Sequence, residues 1–270
     1  MSADFLGLAG KTVLVTGLSN KRSVAWAVGQ GLAAAGARPI YSVRTEERRA
    51  EVAKLVGDAP VLVCDVRDRA QIERLSEEIA PYGPIAGLVH SIAFANYERG
   101  LRPFVETDRD DFAGAMQVSC FSFVELAGAL RPHLAPDASL VTISISTTTM
   151  AAENYGYMAP IKAALDSAVV FLAGSFARSD VRVNSVRAGL LKTRSSAGIP
   201  GYADAWLFAE KATLRGRGLD TREVADTALF LLSPRSSGIN AQGLVVDAGM
   251  ASGYFHRELV EPATRPDPSR

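Results

Sequence analysis

Short, continuously apolar runs alternate with helical stretches along almost the whole chain, and that alternation leaves few folds open. Segments 12–16, 39–43, 60–64, 85–92, 139–144, 181–186 and 243–246 read as strands. A strand with one wet face would alternate apolar and polar residues. These do not, so both faces must be covered, as in a parallel sheet. Helical patterns at 23–35, 45–56, 69–79, 109–134, from Tyr155 to 178 and at 221–233 supply the crossovers that parallel strands require. The pattern predicts an α/β fold: a doubly wound, seven-stranded parallel sheet with helices on both faces, forming one domain over 5–258. Segment 189–218 mixes Gly, Pro, Ser and Arg with Ile199, Tyr202, Trp206, Leu207 and Phe208. It reads as a mobile flap over about 190–218 with an apolar underside, or as a surface excursion with a small helix of its own. Residues 259–270, rich in Pro and charge, are expected to form a disordered tail.

Charge narrows the class of partner. The 29 basic residues balance the 29 acidic ones, so nothing steers the chain to nucleic acid or an anionic membrane. No apolar run reaches the roughly 18 residues of a membrane span. Even the stretch 163–177 is broken by Asp166. The first residues lack the basic start and apolar core of a secretory signal. Cys64 and Cys120 lie in apolar segments and, with three scattered His, form no metal-ligand spacing. Buried, reduced thiols in a cytoplasmic protein without a metal are the expectation.

Chemistry concentrates at the C-terminal ends of the expected strands, where such sheets bind ligands. Gly17 follows the first strand and lets the backbone approach a phosphate. Ser23 can cap the next helix, whose N-terminus attracts anions. Arg44 and Arg48, after the second strand, suit a 2′-phosphate, where an acidic residue would favour a 2′-hydroxyl. Asp65, after the third strand, can accept from an adenine amino group, and the fourth strand runs out through Ser91, Ile92 and Ala93. Tyr155 and Lys162 are seven positions apart, about two helical turns, so a helix through both would set phenol and ammonium on one face. A cation beside a phenol favours the phenolate and tunes it for proton donation. Tyr157, five positions before Lys162 and so about 500° away around a helix, lies off the Lys162 face and reads as packing.

With these segments the sequence resembles the short-chain dehydrogenase/reductase superfamily of Rossmann folds, and within it the divergent enoyl-acyl-carrier-protein reductases. The marks are Gly17-x5-Ser23-x-Ala25 and Tyr155-x6-Lys162. His90-Ser91-Ile92-Ala93-Phe94-Ala95, Arg182-Val183-Asn184-Ser185, Lys192-Thr193 and Val246-Asp247-Ala248-Gly249 support them. The resemblance implies hydride delivery from NADPH or NADH to the β-carbon of a trans-2-enoyl thioester, free or on acyl carrier protein, in fatty acid biosynthesis. Tyr155 would stabilise the enolate and Lys162 would bind the nicotinamide ribose. Gly17, Ser23 and Val24 would surround the pyrophosphate and nicotinamide side, Asp65 and Val66 would hold adenine, and Ser91, Ile92 and Ala93 would pass beneath the cofactor. Leu191 and Thr193 would reach the nicotinamide amide and phosphates. Phe94, Ala95, Ile145, Met158, Ile199 and Tyr202 would line the acyl site. Arg44 and Arg48 make NADPH the expected cofactor, and a homotetramer is the implied assembly.

Three positions depart from that pattern. Ile145 replaces an aromatic, usually a second Tyr, so a wall replaces a donor unless a hydroxyl of 144–149 serves. Pro160 falls inside the expected catalytic helix and removes a backbone donor, so the helix starts late or kinks. Leu190 stands where relatives carry Pro, which softens the corner leading to the flap. Ile145 and the hydroxyl run keep open a carbonyl or imine reductase of the same superfamily, and Pro160 a cofactor-binding protein without turnover.

Overall fold

The computed structural model describes residues 4–100, 102–152, 156–193, 196, 198–257 and 259–260. Among them, β1 (Thr12–Thr16), β2 (Arg38–Val43), β3 (Val61–Val63), β4 (Ile85–His90), β5 (Leu134–Ile145), β6 (Arg182–Ala188) and β7 (Gly243–Val246) form one parallel sheet. Its order is β3-β2-β1-β4-β5-β6-β7, so the winding reverses between β1 and β4. That reversal opens a crevice at the strand C-termini, which positions the site.

The apolar strands are explained by what covers them. Successive side chains alternate between faces. Val13 and Val15 of β1 join the core under helices α1 (Val24–Ala34) and α8 (Thr221–Leu232). Leu14 between them joins Leu88, Leu140 and Val183 on the opposite face. There it meets α3 (Arg69–Ile79), α5 (Ser122–Leu130) and α6 (Met158–Ser175), which contribute Leu75, Phe123, Leu126, Ile161 and Leu165. Helix α1 sits so close to β2 that a Cβ on Gly29 would lie 2.2 Å from the Tyr41 hydroxyl oxygen.

Several boundaries differ from the sequence reading. The stretch 109–134 is not one helix. It is α4 (Arg109–Met116), a π turn (Gln117–Phe121), α5 and a short turn through Pro132, and Leu134 already belongs to β5. The π turn presents Ser119 to the backbone of Phe94, donating to its carbonyl at 3.0 Å and accepting from its N–H at 2.8 Å. This is the kind of local under-winding that recurs at functional sites. Helix α6 begins at Met158, not at Tyr155, so Pro160 lies in its first turn. There its missing N–H has no intrahelical partner to lose, and the helix is neither broken nor deprived of a bond. The shared-face argument for Tyr155 and Lys162 therefore does not hold as a statement about α6, and Tyr155 lies outside the described residues.

The expected flap contains an eleven-residue helix, α7 (Tyr202–Ala212). Its Ala209 and Ala212 pack with Met250, and Leu190 and Leu259 lean on that cluster. Leu259, assigned to the tail from the sequence, thus packs on the fold, and it and Val260 donate to the His256 carbonyl; residues 261–270 lie outside the described ones. By length and mean hydropathy, Arg109–His133 and Met158–Ser175 reach the membrane range that the sequence reading had ruled out. The residues responsible, such as Phe123, Leu126, Ile161 and Leu165, are buried against the sheet.

Candidate active site

A cleft of about 580 Å³ opens over the C-terminal ends of the strands. Gly17 begins it. Its φ is +83°, and a Cβ there would stand 2.0 Å from the carbonyl oxygen of Ser91, so β1 and β4 meet in a contact that only glycine allows. Ser23 caps α1, accepting from the Trp26 N–H at 3.2 Å and donating to the Asn20 carbonyl at 2.8 Å. With the hydroxyl committed to Trp26, the N–H groups of Val24 and Ala25 at the head of α1 have no turn before them to accept their bonds and suit an anion.

One part of the cleft is built from the loops after β2 and β3. Arg44 and Arg48 both line the cleft. Arg48 is on α2 (Glu46–Val56), capped by Thr45, and its guanidinium pairs with Glu51 at 2.7 Å. Arg44 has no ion pair among the described residues. Asp65 is not an open acceptor. Arg67 grips it from the side, with Nη2 at 2.6 Å from Oδ2 and Nε at 3.1 Å from Oδ1. That side-chain pairing holds the carboxyl below the usual range. Arg67 was missed from the sequence; its one signal was its place two residues after Asp65. Cys64 is buried beside them, its thiol pushed up to about 12 by burial and by nearby Asp65 and Asp68, which makes it unreactive. Val66, Ser91, Ile92 and Ala93 complete this wall.

Lys162 also lines the cleft. It is 4% exposed, and its ammonium donates to the Ile143 carbonyl at 2.8 Å. Burial lowers its pKa from 10.5 to about 8, with Asp166 and Cys120 pulling the other way. Asp166 is itself held by Ser185 at 3.1 Å and by Arg187 at 2.9 Å. Behind the cleft, His90 is fully buried between Thr142 (2.8 Å) and Ser122 (2.9 Å). Its pKa falls well below 6.5, through burial first and Lys162 second, so the ring is neutral and structural. Ser122 gives its own proton to the Val118 carbonyl, so His90 Nε2 is the donor to Ser122.

Phe94, Ala95, Ile145, Met158, Ile199 and Tyr202, expected from sequence at an acyl site, line the same cleft. Tyr202 does not offer its hydroxyl to a ligand. It accepts from the Leu191 N–H at 3.1 Å and donates to the Leu191 carbonyl at 2.9 Å, pinning the root of the flap helix. Ser196 does the same for Thr193, accepting from its N–H at 2.9 Å. Tyr157 is clamped by Asn96, accepting from its N–H at 2.9 Å and donating to its carbonyl at 3.0 Å. Among the described residues, two hydroxyls of the cleft lining are buried without a partner, Ser144 and Tyr97. Ser144 belongs to the hydroxyl run legible in the sequence, whereas nothing in the pattern marked Tyr97.

The described residues expected at the site from sequence thus line one cleft. Its constricted Gly17 turn, its helix N-terminus and an ammonium with donors to spare fit a dinucleotide.

A family model described as enoyl-(acyl carrier protein) reductase matches residues 17–251. The enoyl-acyl-carrier-protein reductase (NADH) FabI of Bacillus subtilis (strain 168) is 37% identical over 249 residues, 90% of this chain and 96% of that protein. The enoyl-acyl-carrier-protein reductase (NADPH) FabI of Staphylococcus aureus (strain MRSA252) is 33% identical over 250 residues, 90% of this chain and 98% of that protein. Among solved structures, the Bacillus cereus enoyl-acyl carrier protein reductase with NADP+ and indole naphthyridinone superposes with a TM-score of 0.87. It is 30% identical and covers 92% of this chain and 99% of that one.

Proposed function

The chain belongs to the enoyl-(acyl carrier protein) reductase family, and from that membership and the cleft we infer that it reduces the 2,3 double bond of a trans-2-enoyl thioester with NADPH or NADH. The observation that carries the reading is the meeting of the Gly17 turn, the head of α1 and buried Lys162 in one cleft at the switch point of the sheet. When bound, the reduced nicotinamide supplies hydride to the β-carbon of the thioester.

The chain's own residues then have separate tasks. Tyr155 hydrogen-bonds the thioester oxygen as it takes on charge, an assignment supported by the Tyr-x6-Lys spacing. Lys162 has three donors and spends one on Ile143, leaving two for the hydroxyls of the nicotinamide ribose. Its burial in a poorly solvated wall strengthens those bonds. Gly17 and the head of α1 receive the pyrophosphate. Phe94, Ile145, Met158 and Ile199 give the acyl chain an apolar wall.

Cofactor choice is read from Arg44. Relatives of this chain are designated for NADH and for NADPH, and an uncommitted guanidinium at the adenosine end supports the 2′-phosphate. Arg48 contributes less, because Glu51 neutralises it. The acyl group arrives as a thioester, with acyl carrier protein as its carrier. Exposed Phe121, Val170 and Phe171, at 51%, 51% and 76%, support association of several copies, read as a homotetramer.

The test is oxidation of NADPH and NADH by purified protein with a short trans-2-enoyl thioester. Turnover should follow addition of the thioester and fall about 100-fold in Tyr155→Phe. Full turnover in that variant would strip Tyr155 of its role. A wild-type protein inert toward enoyl thioesters but active on ketones would replace the reading with carbonyl reduction.

A further inference from the structure

Tyr97 is the one aromatic hydroxyl in the cleft wall that no described residue satisfies. Its Oη is closed to solvent and has no hydrogen-bond partner. The ring is fixed: it stacks on Tyr157 with centroids 6.4 Å apart, and its edge lies 3.8 Å from where a Cβ on Gly156 would stand. Tyr157 is in turn pinned to Asn96, the neighbour of Tyr97, so the phenol is held from two sides. A fixed, buried and unpaired donor is costly in the free protein and is explained when something else completes its bond. Around it, the acyl part of the cleft offers little polarity. Ile145 and Met158 are aliphatic or thioether, and the hydroxyls of Tyr157 and Tyr202 are spent on backbone. Ser144, the other unpaired hydroxyl of the cleft wall, follows Ile143, whose carbonyl holds Lys162.

Resting on the reductase reading, we propose that Tyr97 is a second hydrogen-bond donor to the carbonyl oxygen of the acyl thioester. As hydride reaches the β-carbon, the π pair of the C2–C3 bond moves toward the carbonyl and leaves charge on the thioester oxygen until a solvent proton reaches C2. Tyr97 donates a hydrogen bond to that oxygen and keeps its own proton throughout. Burial pushes its phenol up to about 12, so it stays a donor across the working pH range. A donor of this kind stabilises developing charge once the acyl group reaches it.

Tyr97→Phe keeps the ring and removes only the hydroxyl. In the full-length protein, kcat on a short trans-2-enoyl thioester should fall about tenfold, with the cofactor Kd unchanged. The melting temperature of the cofactor-free protein should rise by about 2–4 °C, because an unsatisfied buried group is gone. A structural role would lower activity and melting temperature together, and that result overturns the proposal. So does an unchanged kcat. Tyr155→Phe should keep residual turnover that the double variant with Tyr97→Phe loses. If the wild-type protein fails on every enoyl thioester, the reductase reading and this proposal fall together, whereas wild-type turnover with an indifferent Tyr97→Phe sinks this proposal alone.

Discussion

Lys162→Met offers a measurement that isolates one buried charge. Methionine fills nearly the same volume and carries no ammonium. In the folded protein Lys162 titrates near 8, against 10.5 for an ordinary lysine, chiefly because it is desolvated. Between those two values the unfolded chain binds a proton that the folded chain has released. Stability therefore rises with pH through that window, and below about 8 the folded state carries the full penalty of the charged amine. A difference of two to three pKa units corresponds to about 3 kcal/mol, a sizeable part of the roughly 5–15 kcal/mol that holds a domain together. The assay is urea unfolding followed by tryptophan fluorescence, without cofactor, at pH values from 7 to 10.5 for wild type and Lys162→Met. Tyrosines and cysteines also titrate in this range, but they cancel in the difference between the two proteins. Wild type should gain on the variant by about 3 kcal/mol from the bottom to the top of the range. Lys162→Met should also bind cofactor weakly at every pH, while wild-type affinity should decline as the amine deprotonates above about 8. Parallel stability curves for the two proteins would refute the claim that Lys162 is a desolvated ammonium at neutral pH.

Two further substitutions test the cofactor end. Gly17→Ala brings a methyl against the Ser91 carbonyl at a positive φ, so one of the two loops must move by about an ångström; the cofactor Kd, by calorimetry, should rise about 100-fold, and unchanged binding would refute the close approach. Arg44→Ala should raise the KM for NADPH by about 10- to 100-fold and leave that for NADH nearly unchanged, and an equal effect on both would assign the guanidinium to another task.

Much of this protein was written in local pattern. Continuous apolar runs flanked by helical periodicity demand a sheet covered on both faces, and the two core clusters that divide Val13 and Val15 from Leu14 are that demand met. Caps are local as well. Ser23, Thr45 and Asp220 each satisfy N–H groups within three residues, so they could be read in order along the chain. The candidate cofactor positions were legible for the same reason: they follow strand ends, and a doubly wound topology brings strand ends together.

What the linear pattern left undecided depends on neighbours far apart in the chain. Tyr157 sits by Asn96 across 61 positions, and nothing in either segment announces that its hydroxyl is spent while that of Tyr97 is free. Even the two-residue step from Asp65 to Arg67 was undecided, because whether the guanidinium turns back onto the carboxylate is a rotamer choice that the sequence does not state. Pro160 looked like an obstacle because the start of α6 could not be fixed from periodicity; beginning at Met158 makes it harmless. Lys162 drew notice for its spacing from Tyr155, but the property that matters chemically is desolvation. That was decided only when α6 packed on the sheet and enclosed the amine beside Ile143, since the energy of a charge depends on what replaces its water and not on where it lies in the sequence.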